Sequence, residues 1–272
     1  PLDELAAETE MLVSQGAKEI ILIAQELNSY GQDLDDRPDL PALLKKLTAV
    51  EAVEWIRMLY LHPPLVDDSL LEIVASDPKI CPYFDFPVEH ISDSILKRMG
   101  RRITKKQTID KLQKIKETIP GAAIRTSIMT GFPGETEQDF TELADFISDG
   151  WFDHLGIFTY SPEEGTPALK FTEEVPPDLA QMRLETIMEI QREVSAGKNQ
   201  LLLNSTLQVI VDGFTEEGRL FGRTEKQAPD VDGIVYLNGK AETGEIVPVV
   251  IKYTEDYDLY GDILPKDELN QK

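Results

Sequence analysis

The first 204 residues alternate between short apolar runs and longer segments in which apolar residues recur every three or four positions. The runs are rich in Val, Ile, Leu and aromatic residues and predict buried strands, whereas the longer segments predict amphipathic helices. Predicted strands cover residues 18–24, 53–61, 83–87, 123–130 and 153–160. Predicted helices cover residues 2–15, 40–48, 67–75, 92–99, 105–119 and 178–203, and one more starts after Thr136. Such alternation is typical of βα units and a parallel sheet.

The number of these units predicts an open barrel. Five strands precede residue 161, and the helix at 2–15 has no strand before it. Adding that strand gives six βα units, fewer than the eight of a complete barrel. We therefore predict an α/β domain over residues 1–204, a partial (β/α)6 barrel that ends in a long helix. Because the chain opens at Pro1 within a helical pattern, we also expect further sequence upstream.

From residue 205 the pattern changes to short strands separated by turn dipeptides such as Asp212-Gly213 and Asn238-Gly239. The predicted strands cover residues 206–211, 219–223, 233–237, 246–253 and 257–263. About five short strands in such a short stretch predict a small antiparallel β-barrel over residues 205–272. We expect residues 265–272 to form a disordered tail.

A glycine turn follows the strand predicted at 123–130. Gly131, Pro133 and Gly134 form the turn, and Thr136 is a suitable N-cap for the next helix. Parallel sheets place ligand sites at such carboxyl ends of strands, where backbone can approach a polar cofactor closely. On its own, however, a glycine turn is explained as simply by a tight βα connection.

Composition narrows the class of protein. The 272 residues include 50 acidic and 27 basic side chains, a net charge of −23, which argues against a broad nucleic-acid surface and fits a basic partner. No apolar run is long enough to span a membrane, and no signal peptide is recognisable. The single cysteine, Cys81, excludes internal disulfides and favours the cytoplasm. His62, His90 and His154 lack the spacing of metal ligands, so we predict no metal site from them.

Four phrases in a fixed order are more specific than any single motif. They are CPYFDFPVEHISD at 81–93, LKRMGRR at 96–102, GFPGET at 131–136 and YSPEEGTPA at 160–168. Together with Arg125, they resemble the radical S-adenosylmethionine methylthiotransferases, and the resemblance covers nearly the whole chain. Within that family the phrases at 90–93, 163–166 and 257–261 resemble the branch that modifies an aspartate of ribosomal protein S12.

The resemblance implies a partial (β/α)6 barrel followed by a small β-barrel called TRAM, in agreement with the periodicity. It also implies S-adenosylmethionine, two [4Fe-4S] clusters and an electron donor as the requirements of the reaction. One cluster would be bound by a CxxxCxxC loop after the first barrel strand and the other by an upstream domain. Neither is present in these residues, so the resemblance implies a fragment of the intact enzyme.

The resemblance and the strand ends together select candidate cofactor residues. Gln25 and Glu26 end the first strand and could accept hydrogen bonds from the amino group of S-adenosylmethionine, although Glu26 could equally be a solvated loop carboxylate. Arg125 lies in a buried strand, where a charge is costly unless it is paired. The resemblance implies that Arg125 binds the cofactor carboxylate, and the alternative is a structural ion pair.

Further candidates follow the third and fourth strands. Glu89 and Ser92 could reach the sulfonium end or the ribose, although Ser92 could instead be a plain N-cap. Gly131 and Gly134 would let backbone amides approach the cofactor. Arg101 and its neighbour Arg102 are either cofactor contacts or surface charges.

The charge of the small barrel indicates what kind of partner the domain could bind. Residues 205–272 hold 14 acidic and 7 basic side chains, a composition suited to a basic ribosomal protein, or one that merely aids solubility. We keep three alternatives: a tRNA adenosine methylthiotransferase, a cluster-free aldolase-type barrel enzyme and a non-catalytic acidic adaptor. The aldolase would need a lysine or a metal-binding carboxylate site inside the barrel, and no lysine lies at the centre of a predicted barrel strand.

Overall fold

The structure is a computed structural model, and it describes residues 1–265. Five strands and seven helices form the first 204 residues. The strands are β1 (Glu19–Leu22), β2 (Trp55–Met58), β3 (Tyr83–Asp85), β4 (Ala123–Thr130) and β5 (His154–Thr159). The helices are α1 (Leu2–Ser14), α2 (Leu40–Thr48), α3 (Asp68–Ser76), α4 (Asp93–Arg98), α5 (Lys105–Thr118), α6 (Glu137–Ser148) and α7 (Pro177–Gln200). Each predicted element of this half is present, and its ends differ from the prediction by three residues at most.

The five strands follow one another in sequence order as parallel neighbours. β1 pairs with β2, and β3, β4 and β5 form a second sheet. A bridge between Ile56 and Ile80 links the two sheets. One face of the array packs on the helices through residues such as Phe84 and Ile124, which are fully buried. The other face is not covered by helices, so the α/β partial barrel expected from the periodicity is confirmed.

A closed five-stranded barrel forms the C-terminal part. Its strands are β6 (Thr206–Phe214), β7 (Leu220–Thr224), β8 (Val235–Asn238), β9 (Ile246–Thr254) and β10 (Leu259–Ile263). They close in the order β10-β8-β7-β6-β9 around a core made mainly of valine and leucine side chains. The tail expected at 265–272 lies, apart from Pro265, outside the described residues.

One pairing in this barrel corrects the prediction of a wholly antiparallel structure. β8 and β10 are parallel, with Leu259 opposite Val235, while the other four pairings are antiparallel. The reason is the odd number of strands. Directions that alternate around a closed ring can do so only if the number of strands is even, so a ring of five must contain one parallel pair.

The C-terminal barrel packs against the amino-terminal ends of the partial-barrel strands, an end that we call the floor. The first residues of three strands, Glu19, Tyr83 and His154, contact it directly. A small apolar cluster that includes Cys81 and Ile210 packs between the two domains, and burial raises the pKa of Cys81 to about 12. Among the described residues, no helix combines the length and apolar character that crossing a bilayer requires.

Candidate active site

The loops after β1 and β2 are joined at the carboxyl end of the sheet. Asn28 accepts a hydrogen bond from the backbone N–H of His62 and donates one to its carbonyl, both at 2.9 Å. This link brings the carboxylate of Glu26 to 3.7 Å from His62 Nδ1, while Ser29 donates to the same carboxylate at 2.7 Å. Gln25 is exposed next to it and forms no hydrogen bond within residues 1–265. Two hydrogen-bond acceptors are therefore presented at this edge.

Glu89 lies in the loop after β3 and has a strained backbone. Its φ is +68°, a left-handed conformation that costs a non-glycine residue about 1 kcal/mol or more and is typical of functional sites. Hydrogen bonds to Ser127 and Met129 of β4, both of 2.8 Å, hold that backbone in place. Burial raises the pKa of the carboxyl, and Arg101 opposes this with a 2.6 Å ion pair. Arg102, in contrast, is exposed.

Ser92 occupies the N-cap position of α4, but its hydroxyl does not cap the helix. It donates instead to Asp139 Oδ1 at 2.5 Å, and Ser94 donates to the same oxygen at 2.7 Å. Partial burial alone would raise the pKa of Asp139, but hydrogen bonds from Ser92, Thr136 and Ser94 outweigh it and hold the pKa far below its usual value. The N-cap interpretation of Ser92 is therefore wrong, and its hydroxyl joins α4 to α6 rather than facing an open site.

The glycine turn after β4 is organised around Glu135, which the sequence analysis did not single out. One carboxylate oxygen of Glu135 accepts hydrogen bonds from the amides of Gly131 (2.5 Å) and Phe132 (3.2 Å). The other oxygen is 3.0 Å from Arg183 of α7. Gly131 has a φ of +75°, and a Cβ built on it would lie 2.4 Å from the Cβ of Ala180, so no side chain fits.

Gly134 is enclosed in a similar way. Its amide donates to the carbonyl of Glu173 at 2.7 Å, and a Cβ there would lie 2.8 Å from the guanidinium of Arg98. The amides of Gly131 and Gly134 thus both have protein acceptors, and the approach of this turn to a cofactor stays a prediction. The predicted cap of α6 is confirmed, because Thr136 and Asp139 form a reciprocal capping box.

Arg125 lies on the uncovered inner face of the partial barrel. Its Nε is 3.3 Å from Asp232 Oδ1, and its Nη1 is 3.7 Å from Asp85 Oδ1. These are ion pairs without hydrogen-bond geometry, and Nε is buried with no hydrogen-bond partner among the described residues. The neighbouring Gly156 has no side chain to fill the space beside Nη2. The two carboxylates balance the charge of the guanidinium but do not satisfy its donors, so Arg125 keeps N–H groups that are available to a hydrogen-bond acceptor.

Two carboxylates therefore flank this arginine. Burial raises the pKa of Asp85, which also accepts a hydrogen bond from the amide of Tyr60 at 3.1 Å. Asp232 belongs to the C-terminal barrel and was missed by the sequence analysis. Nothing local distinguishes it from the other acidic residues of that domain, and 149 residues separate it from Tyr83, whose hydroxyl donates to it at 2.7 Å.

The floor beneath Arg125 is a network of paired charges. Arg57 is fully buried, with Glu19 at 2.7 Å and the carbonyls of Glu225 and Thr224 at 2.8 and 3.3 Å. Arg223 binds the same Glu19 at 2.8 Å. Burial alone would raise the pKa of Glu19, but the two arginines outweigh it and lower the pKa. Every charge in this network has a partner, so its role is structural.

Comparison with known protein families identifies the family of this chain. A radical SAM superfamily profile matches residues 1–147, more than half of the chain. The chain belongs to the radical SAM superfamily. A TRAM domain profile matches residues 205–264, the closed barrel described above. The radical SAM resemblance and the two predicted folds are therefore confirmed.

Relatives named ribosomal protein uS12 methylthiotransferase RimO match across both domains. The protein from Geobacter sulfurreducens is 45% identical over 97% of this chain, that from Pelobacter propionicus 44% and that from Thermotoga petrophila 42%, each over the same share. The chain spans about 60% of the length of these relatives.

Radical SAM proteins use S-adenosylmethionine with an iron–sulfur cluster, and the chemistry of the residues present fits the methionine part of that molecule. The unsatisfied donors of Arg125 suit a carboxylate, and the exposed Gln25 and Glu26 suit an ammonium group. The one cysteine of the sequence, Cys81, is buried between the domains, so it is not a cluster ligand. Ser92, Gly131 and Gly134 form hydrogen bonds within the protein at the loops after β3 and β4, and their predicted contact with the cofactor stays a prediction.

Proposed function

We propose that this chain is the cofactor-binding barrel and TRAM domain of a uS12 methylthiotransferase, which replaces a carbon-bound hydrogen of an aspartate in ribosomal protein uS12 with a methylthio group. The observation that supports it most is the 45% identity to the relative of that name, which runs through both domains. We also propose that the boundary between the domains lies at residues 204 and 205.

In the candidate site, Arg125 of β4 and two residues of the loop after β1 bind different groups of S-adenosylmethionine. Arg125 binds the carboxylate through its terminal nitrogens, and Gln25 and Glu26 accept hydrogen bonds from the ammonium group. The Glu89–Arg101 ion pair holds the loop after β3 beside this edge. When bound, the nucleotide and its reduced cluster supply the removal of a hydrogen atom from an unactivated carbon, and the protein supplies orientation.

We also propose that the reaction requires two [4Fe-4S] clusters and an electron donor. The cysteine ligands of the clusters are not among the residues of this chain, because a lone buried cysteine cannot hold a cluster. A cytoplasmic location follows from the ribosomal substrate.

The acidic TRAM domain supports a basic protein as the substrate. Residues 205–272 carry 14 acidic and 7 basic side chains, and one of the basic ones, Arg223, is buried in the floor. A surface of this charge repels phosphates and attracts a basic protein.

A tRNA adenosine methylthiotransferase is the second candidate, and one surface feature favours it. Tyr236 and Tyr260 stack with ring centroids 4.7 Å apart, next to the exposed Tyr253, and such rings can stack on bases. However, the guanidinium of Arg219 lies 5.1 Å above Tyr236, and Tyr260 donates to Glu255. Cationic side chains therefore suit this face better than nucleotides do.

The test uses the full-length protein, reconstituted anaerobically with its clusters and supplied with S-adenosylmethionine and a reductant. Purified uS12 and bulk tRNA are offered in separate reactions. We expect mass spectrometry of uS12 peptides to show one methylthio group on an aspartate, and nucleoside analysis of the tRNA to show none. Modified tRNA with unmodified uS12 would overturn the proposal in favour of the second candidate.

A further inference from the structure

Asp232 belongs to the TRAM domain, yet its side chain lies on the inner face of the radical SAM domain. It is in the loop between β7 and β8, and its side chain is fully buried. A carboxylate in such a place is costly unless it is fixed and paired, so its contacts indicate what it does.

One oxygen of Asp232 is fixed by two hydrogen bonds. Oδ2 accepts from the Tyr83 hydroxyl and from the amide of Ala228, both at 2.7 Å. The next residue, Gly233, lies so close to the carbonyl of Tyr257 that a Cβ on it would be 2.1 Å from that oxygen. The side chain of Asp232 is therefore held by hydrogen bonds from both domains, and its backbone is held by packing within the TRAM domain.

The other oxygen faces the candidate cofactor site. Oδ1 is 3.3 Å from Arg125 Nε and 3.6 Å from His154 Nδ1, and it has no hydrogen-bond partner among the described residues. This contact is to the Nε side of the guanidinium, whereas Nη1 is 3.7 Å from Asp85 Oδ1. A guanidinium can bind a carboxylate with two parallel hydrogen bonds through its two terminal nitrogens, and an acceptor on the Nε side leaves that edge available.

We propose that Asp232 is a positioning residue for Arg125, so that the TRAM domain completes the cofactor site of the radical SAM domain. The inference rests on the proposed role of Arg125 in binding the carboxylate of S-adenosylmethionine. Without Asp232, the guanidinium turns toward Asp85, the remaining carboxylate at 3.7 Å, and its terminal nitrogens no longer face the ligand.

The test measures the dissociation constant of S-adenosylmethionine for the full-length, cluster-reconstituted protein, in equilibrium and without any protein substrate. We expect Asp232→Ala to weaken binding about tenfold, the scale of one well-placed charge-assisted contact. Asp232→Asn should recover part of this loss, because its single amide oxygen can still face Nε–H, while its NH2 group can donate to the Tyr83 hydroxyl but cannot accept from the amide of Ala228. If the alanine variant proves unfolded by thermal melting, the comparison is made with Asp232→Leu and with the asparagine variant.

Asp212→Asn is the matched control. Asp212 is also an acid of the TRAM domain in an ion pair at this interface, but its partner is Arg223 on the floor rather than Arg125. We expect the affinity for S-adenosylmethionine to be unchanged. An equal loss in the Asp212 and Asp232 variants would mean that only domain docking matters and would overturn the inference.

A double-mutant cycle separates this inference from the proposed function. In an Arg125→Lys background, which has no Nε edge, Asp232→Ala should have no further effect. Independent, additive losses would overturn the positioning role, as would tighter binding in Asp232→Ala, which would identify Asp232 as only a competing charge. If Arg125→Lys binds S-adenosylmethionine with normal affinity, the proposed role of Arg125 is wrong. None of these measurements depends on which substrate is methylthiolated.

Discussion

Two arginines of the partial barrel, both in contact with the TRAM domain, use their charge in opposite ways. Arg57, on the floor, is fully buried and bound by one carboxylate and two carbonyls. The guanidinium of Arg125, two strands further along the array, forms ion pairs but no hydrogen bond to any described residue. A guanidinium whose donors are all used stabilises a fold, and one whose donors remain is prepared for a ligand. The environment, and not the residue type, therefore distinguishes structure from function here.

Removing Arg57 should give the largest effect and would test the structural half of this comparison. Arg57→Met leaves the carbonyl of Glu225 without its donor at the interface, removes one of the two donors to the carbonyl of Thr224, and removes one of the two cations that neutralise Glu19. We expect the free energy of unfolding to fall by about 3–5 kcal/mol, measured by urea denaturation.

Lys18→Met is the control for this substitution, because Lys18 forms an exposed ion pair with Glu54, which contributes about 0–1 kcal/mol. A loss for Arg57→Met as small as that of the control would contradict the assignment of the floor as a stabilising network.

A second, intermediate effect concerns His90, which is buried behind the loop at the carboxyl end. Its Nδ1 accepts from the amide of Ser92 at 3.0 Å, so the neutral ring carries its proton on Nε2, which has no partner among the described residues. Burial lowers the pKa of His90 to about 4, Asp139 opposes this and Arg183 adds to it. The carboxyl end of the barrel therefore also contains a buried polar side chain, His90, which stabilises the fold in its neutral form.

The sign of the resulting pH dependence follows from the lowered pKa. The unfolded chain binds a proton on this ring near pH 6.5, and the folded chain does so only near pH 4. Stability is thus fully present above pH 6.5 and is lost as the pH falls through this window, by about 3 kcal/mol in total. Urea denaturation at several pH values should show a shallower loss for His90→Gln than for the wild type. His62→Gln, at a partly exposed site, should keep the wild-type slope; equal slopes in all three proteins would refute the assignment to His90.

The smallest effect on stability is expected for Gln25, on the open edge. Gln25→Ala should change the free energy of unfolding by less than about 0.5 kcal/mol, because the side chain is exposed and unpaired within residues 1–265. The same substitution should raise the dissociation constant of S-adenosylmethionine severalfold, because it removes an acceptor for the ammonium group. Unfolding curves and equilibrium binding on the reconstituted protein measure the two quantities. If the Gln25→Ala variant were destabilised, or if its affinity for S-adenosylmethionine were unchanged, the contrast between the structural floor and the ligand-binding carboxyl end would be wrong.

Periodicity predicted the elements well because each strand and helix buries a face that is visible locally in the sequence. The β4 strand and the cap at Thr136 are examples in which pattern and turn chemistry agree. The site was harder to predict because its partners are distant. The amides of Gly131 and Phe132 are bound by Glu135, and the only local signal was a carboxylate directly after the glycine turn.

Other features depend on tertiary contacts that no local pattern reports. Ser92 has the sequence of an N-cap, but Asp139, 47 residues later, competes successfully for its hydroxyl. Asp232 reaches Arg125 only because the TRAM domain docks on the floor. The parallel pairing of β8 and β10 follows from the closure of a five-stranded ring, and closure is a property of the whole domain.

The length of chain between the partners on the floor has a consequence for biosynthesis. Glu19 and Arg223 are 204 residues apart, and Arg57 and the carbonyl of Glu225 are 168 apart. A nascent chain therefore exposes Glu19 and Arg57 long before their partners in the TRAM domain have been translated. Since domains generally fold in the order of synthesis, the radical SAM half must wait in an incompletely stabilised form. Premature termination before Arg223 would then leave Glu19 and Arg57 paired only with each other, so an unfinished copy would lack part of the hydrogen bonding of its interior.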